Sequence, residues 1–182
     1  MTKTNLKNYN NNNYRPGNFF VIIIWYFLNH LIIKNSFITS SSFKIIILKL
    51  FGSKIGKGVI IKPGVSVKYP WNLIIGNYCW VGENVWIDNL GMVIIENNVC
   101  ISQGAMLLCG NHNYKKSEFN LIISEIIIKN GAWVGAKSIV CPGVIVDNHS
   151  VLSVGSVATQ NMEPYSIYQG NPAKKIKNRV IK

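Results

Sequence analysis

The chain has 182 residues, 48% of them hydrophobic, with 19 lysines and arginines against 7 acidic residues and a formal charge of +12. That length and apolar content supply a buried core for one compact domain, and exclude both a disordered polymer and a disulfide-stapled miniprotein. The basic excess alone would admit nucleic acid. However, no Lys or Arg lies between Tyr69 and Tyr114, and no nucleic-acid motif is present, so a solvated basic surface without a nucleic-acid partner is expected.

Residues 1–18 are polar and Asn-rich, with Asn10 to Asn13 in a row. Such a segment buries little apolar area and reads as a mobile N-terminus. It gives way to an apolar segment over 19–53. Phe19 to Ile33 is nearly unbroken apart from Asn29 and His30, and Phe43 to Phe51 is a second run. Neither reaches the roughly 20 apolar residues that cross a bilayer. One reading is a pair of helices or strands capping the open end of whatever follows. The other adds a peripheral membrane contact, with Trp25 and Tyr26 at headgroup level and Lys34, Lys44 and Lys49 toward anionic lipid.

From Ile55 an aliphatic residue returns every sixth position: Ile55, Ile61, Val67, then Ile75, Val81, Ile87, then Ile95, Ile101, Leu107, and again Ile128, Val134, Val140, Val146, Leu152. Small or β-branched residues recur at the fifth position, as at Cys79, Val85, Ala105, Ala132 and Ser138. A period of six fits neither an α-helix nor simple strand alternation; it is the hexapeptide repeat of a parallel β-helix, three hexads to a triangular coil. The β-helix is expected over 54–163. The starts Ile55, Ile75 and Ile95 are spaced so that each coil carries two extra residues at one corner.

The count breaks between Leu107 and Ile128, which predicts an inserted loop near 108–127 on a binding face. It contains Cys109-Gly-Asn-His112-Asn. His112 is therefore an imidazole carried on an excursion from a rigid scaffold, whereas His30 lies in the apolar run and His149 at a repeat corner. Cys79, Cys100, Cys109 and Cys141 show no metal-binding spacing and no preceding secretory signal, so reduced thiols and no metal site are expected. Cys109 is a rival nucleophile to His112 by proximity alone. The tail over 164–182 is basic.

Several stretches resemble one family: Leu50-Phe-Gly-Ser-Lys-Ile-Gly, Tyr69-Pro-Trp-Asn, Ile101-Ser-Gln-Gly-Ala, Leu108-Cys-Gly-Asn-His112 and Gly170-Asn-Pro-Ala-Lys. Together they resemble the hexapeptide-repeat acyltransferases, and within them the colanic-acid type of sugar O-acetyltransferase. The resemblance implies a left-handed parallel β-helix, a homotrimer with sites between subunits, and acetyl-coenzyme A as donor. It puts the catalytic histidine at His112 and, more weakly, active-site polar groups at Asp88 and Asn89. It puts donor contacts at Trp133, Ala136, Val154, Gly155, Pro172, Lys174 and Lys175. Where the family commonly has an acidic residue after the histidine, this chain has Asn113, which leaves the imidazole without an obvious orienting partner. The implied activity is direct acetyl transfer to a saccharide, nucleotide- or lipid-linked, for a surface polysaccharide in the cytoplasm or at the inner face of the membrane. An N-acyltransferase acting on an amino sugar and a non-catalytic β-helix scaffold are the alternatives.

Overall fold

The computed structural model describes residues 3–182, so the first two positions of the polar N-terminal segment lie outside it. The hexads build a parallel β-helix of three sheets. One face stacks the strands Lys54–Ile55, Leu73–Ile75, Val93–Ile95, Ile126–Ile128 and Ile145–Val146. The second face runs from Ile60–Ile61 through Trp80–Val81, Cys100–Ile101 and Trp133–Val134 to Val151–Leu152, and the third from Ser66–Val67 through Trp86–Asp88, Met106–Leu108 and Ile139–Val140 to Val157–Ala158.

Register follows the hexad starts: Ile55 pairs with Ile75, Ile75 with Ile95, and Ile95 with Ile128 across the coil that carries the insertion. Each of the hexad starts is at most 7% exposed. An inward aliphatic side chain stacked in this way is worth roughly 1.5–3 kcal/mol. The small fifth-position residues are buried too, Cys79, Val85, Ala105 and Ser138 at 0%. At the corner between first and second faces, side-chain amides form a second ladder. Asn77 Oδ1 accepts from Lys57 N–H, Asn97 Oδ1 from Asn77 N–H, and Asn130 Oδ1 from Asn97 N–H.

The N-terminal apolar segment is helical, and it closes the first coil with hydrogen bonds as well as with hydrophobic area. Helix α1 (Phe19–Leu28) continues into a π-helical turn (Asn29–Ile33), and α2 is Ser41–Leu50. The first coil has no preceding coil to pair with, so its outward-facing backbone groups need other partners. Trp25 Nε1–H donates to Val67 C=O, Asn29 Oδ1 accepts from Val67 N–H, and Ser41 Oγ accepts from Ile61 N–H. Lys44 Nζ donates to Lys62 C=O at 3.1 Å. This corrects the expectation that Lys44 faces lipid: its side chain is fully buried, and burial lowers its pKa from the ordinary lysine value.

At the other end, Ser166–Gly170 extends the second face alongside Val151–Leu152. The chain then turns back into Ala173–Asn178, antiparallel to it. The basic tail is thus the outermost strand of a sheet.

Candidate active site

The corner from third face to first face is enlarged in successive coils. It holds a short 3₁₀ turn, Pro70–Asn72, then the Asn89 to Met92 link, and then the long excursion. The excursion is an ordered hairpin in which Gly110–His112 pairs antiparallel with Leu121–Ile123, His112 opposite Leu121. Pairing across the hairpin brings Phe119 back beside His112. The imidazole Nδ1 lies 2.8 Å from Phe119 C=O, and the two rings stack with centroids 4.4 Å apart and planes 5° from parallel. A second ring, Tyr9, stands 5.8 Å from His112 at 56°.

A carbonyl only accepts hydrogen bonds. Nδ1 of the neutral ring therefore carries the hydrogen, and the lone pair is left on Nε2. The orienting group missing at Asn113 is thus supplied by the backbone of Phe119. Phe119 holds φ +53°, a left-handed conformation uncommon for a bulky side chain and of the kind found where a site demands it.

Asp88 stands at the foot of this hairpin. It pairs in register with Leu108, and its C=O accepts from Cys109 N–H. Lys68 Nζ lies 3.0 Å from Asp88 Oδ1, but off the direction of a hydrogen bond, so this buried oxygen has no aligned donor among the described residues. The carboxylate lines a groove of about 280 Å³ between the third face and α1, with Lys68, Tyr69 and Trp86 on one side and Tyr26 and His30 on the other. Asn89, its neighbour, is fully buried, and its amide is spent on the corner, accepting from Tyr69 N–H and donating to Tyr69 C=O. Tyr14 OH donates to Leu90 C=O. Burial, then the charges of Tyr69, Asp88 and Cys109, push its pKa far above the usual tyrosine range.

Cys109, the rival nucleophile, is fully buried within the hydrophobic core. Its thiol is pushed up to about 11, chiefly by desolvation. A buried, protonated thiol is a poor nucleophile.

The donor-side candidates gather elsewhere. Ala136 and Val154-Gly155 lie in successive turns of the corner between second and third faces, where Gly155 N–H donates to Ala136 C=O. Val154 is 71% exposed. Gly155 adopts φ +66°, and a Cβ there would meet nothing within 4 Å, so open space lies against this backbone. Gly170 N–H donates to Ser156 Oγ, which places the turn holding Pro172 beside the same corner. Lys175 pairs with Glu163 at 2.7 Å, while Lys174 is exposed. Trp133 lies on the outer surface of the second face, its indole N–H donating to Ser102 Oγ at 2.8 Å.

Within one chain, then, His112 and Asp88 belong to one corner of the prism, and Ala136, Val154, Gly155 and Pro172 gather at another. Tyr9, Phe119, Lys68 and Tyr69 were not expected from the sequence. The one signal for Tyr9 was an aromatic residue within an Asn-rich run; Phe119 acts through its backbone and leaves no signal.

No protein-family model matches the chain. The WcaF protein of Escherichia coli (strain K12), named as a colanic acid biosynthesis acetyltransferase, is 32% identical over 167 residues, 92% of this chain and 92% of its own. A hexapeptide-repeat acetyltransferase from Vibrio cholerae has a TM-score of 0.79 at 19% identity, covering 87% of this chain and 90% of its own. The same protein complexed with acetyl-coenzyme A scores 0.72 at 18% identity, over 78% of this chain and 79% of its own. A maltose O-acetyltransferase from Clostridium difficile scores 0.76 at 19% identity, over 90% of each chain. At these identities the solved structures establish the fold.

Proposed function

Since the chain belongs to the hexapeptide-repeat acetyltransferases, in the group that includes WcaF, we propose that it moves an acetyl group from acetyl-coenzyme A to a saccharide hydroxyl in surface-polysaccharide synthesis. The observation that carries the reading is the His112 imidazole, fixed through Nδ1 on an ordered hairpin, which leaves the lone pair on Nε2.

In this reading Nε2 takes the hydroxyl proton as the oxygen attacks the thioester carbonyl. The tetrahedral oxyanion collapses, the C–S bond breaks, and the imidazolium returns its proton to the coenzyme A sulfur. General-base assistance of this kind contributes roughly 10²- to 10⁴-fold. A backbone N–H at the developing oxyanion would add to it. Asp88 holds the acceptor: its carboxylate lines the groove beside the hairpin, and the part of it that is not covered by Lys68 can accept from a second sugar hydroxyl. Trp133 and the corner of Ala136, Val154 and Gly155 take the pantetheine arm, with Pro172 and Lys174 toward the nucleotide end and Lys175 beside it.

The donor corner and the His112 corner flank the third face on opposite edges of one prism, so a compact site forms when the donor corner of one copy meets the His112 corner of the next. This supports a homotrimer with a shared site. Light scattering should give about three times the 20.4 kDa chain mass. The activity itself is tested by incubating the protein with acetyl-coenzyme A and a panel of free, nucleotide-linked and lipid-linked saccharides, read by mass spectrometry. O-Acetylated saccharide is expected; binding of coenzyme A without any acetylated saccharide, or acetylation of amino sugars only, would overturn the reading.

A further inference from the structure

Helix α1 is apolar around its whole circumference. Its inward stripe is complete, since Trp25, Asn29 and Ile33, spaced four apart, are buried against the first coil. The opposite face of a helix at a water boundary is ordinarily polar. Here it presents Phe19, Phe20, Ile24, Phe27 and Leu31, each more than half exposed, with Phe37 at 95% just beyond. A contiguous apolar surface of this kind marks a docking site for something apolar.

Charge decides what that is. From residue 1 to residue 82 the sequence has ten lysines and arginines and no Asp or Glu; all seven acidic residues follow. Of the ten, only Lys44 is buried, and Arg15, Lys34 and Lys49 are exposed on or beside the two helices. Two copies brought together by this end would set like charges against one another. An anionic headgroup layer complements them, and the acyl chains beneath it match the phenylalanines. Among the described residues no helix is long and apolar enough to cross a membrane, which leaves a helix lying in the interface plane.

We propose that α1 and the turn after it dock on an anionic lipid surface, with Phe20, Ile24 and Phe27 among the acyl chains and Arg15, Lys34 and Lys49 at the headgroups. The test is flotation of the full chain with vesicles of phosphatidylcholine alone or of equal parts phosphatidylcholine and phosphatidylglycerol. The protein should float with the mixed vesicles at least about tenfold more than with the neutral ones, and high salt should narrow the difference. Phe20→Ser with Ile24→Ser, and separately Lys34→Glu with Lys49→Glu, should each abolish most of the flotation while leaving the light-scattering mass unchanged. The charge-reversal pair touches only exposed side chains, so it tests the idea even where the serine pair disturbs folding. Failure to float with anionic vesicles, flotation equal on both lipids, or a serine pair that changes the mass of the assembly and leaves flotation intact would overturn the proposal; the last result would make the face a contact between copies.

Discussion

His112 owes its geometry to a carbonyl seven residues further on, and that decides what its removal should do. Among the described residues the ring's hydrogen bond and aromatic contacts are made to Phe119 and Tyr9, outside the stacked core. His112→Ala should therefore lower kcat by two to four orders of magnitude. It should leave stability within about 1 kcal/mol of the parent, as urea unfolding would show. Cys109→Ala should keep its turnover per folded molecule, because a buried, protonated thiol is a poor nucleophile; an inactive Cys109→Ala beside an active His112→Ala would reverse the assignment. Trp133 is 45% exposed, its indole N–H held by Ser102 Oγ, so Trp133→Ala should raise the KM for acetyl-coenzyme A more than that for the acceptor. Equal change in both, or none, would reduce it to a brace for Ser102. The place of His112 was legible because it interrupts a strict period. Its partner was not, since a backbone carbonyl has no residue type to read and Phe119 reaches it only once the hairpin pairs.

The coils were readable for the same reason that they are stable: one inward aliphatic residue per strand, repeated in register, leaves a mark on the sequence that no other element makes. The end caps leave no such mark. Trp25, Asn29, Ser41 and Lys44 each satisfy backbone of the first coil, but polar residues in an apolar run read equally well as breaks in it. Lys44 shows the cost of that ambiguity, read as a lipid-facing charge and found sealed against Lys62 C=O. Its burial carries a pH signature. Because the folded state lowers the pKa of Lys44 below the ordinary 10.5, the unfolded chain binds more protons in the window between the two values, and stability rises with pH across that window. Relative to Lys44→Met, the parent should gain stability as pH is raised toward 10.5, measured by urea unfolding at several pH values. A difference independent of pH would mean that the ammonium is solvated. The C-terminal strand was missed for a related reason: Ala173–Asn178 is mostly exposed, so its lysines read as a tail, and only its pairing with Ser166–Gly170 reveals it as an edge strand.

At the scale of the whole molecule, the triangular prism separates two sets of residues that the proposed acetyl transfer needs together. His112 and Asp88 belong to the corner between third and first faces, and Ala136, Val154 and Gly155 to the corner between second and third. Among the described residues no loop carries either set across the intervening sheet. The repeat accounts for each corner but holds no information on how copies meet, which is why assembly was not readable from the hexads. The claim that these corners form one acetyl-transfer site across copies is tested most directly by mixing two defective parents, His112→Ala and Val154→Trp, co-expressed in equal amounts. Val154 is exposed in its turn, so the larger side chain blocks the donor corner without entering the core. If the site is shared, random assembly restores an intact His112 facing an intact Val154 at about one site in four, and acetyl transfer should recover to about a quarter of the unmutated rate. Mixed assemblies no more active than the sum of the two parents would contradict the shared site and return catalysis to a single chain.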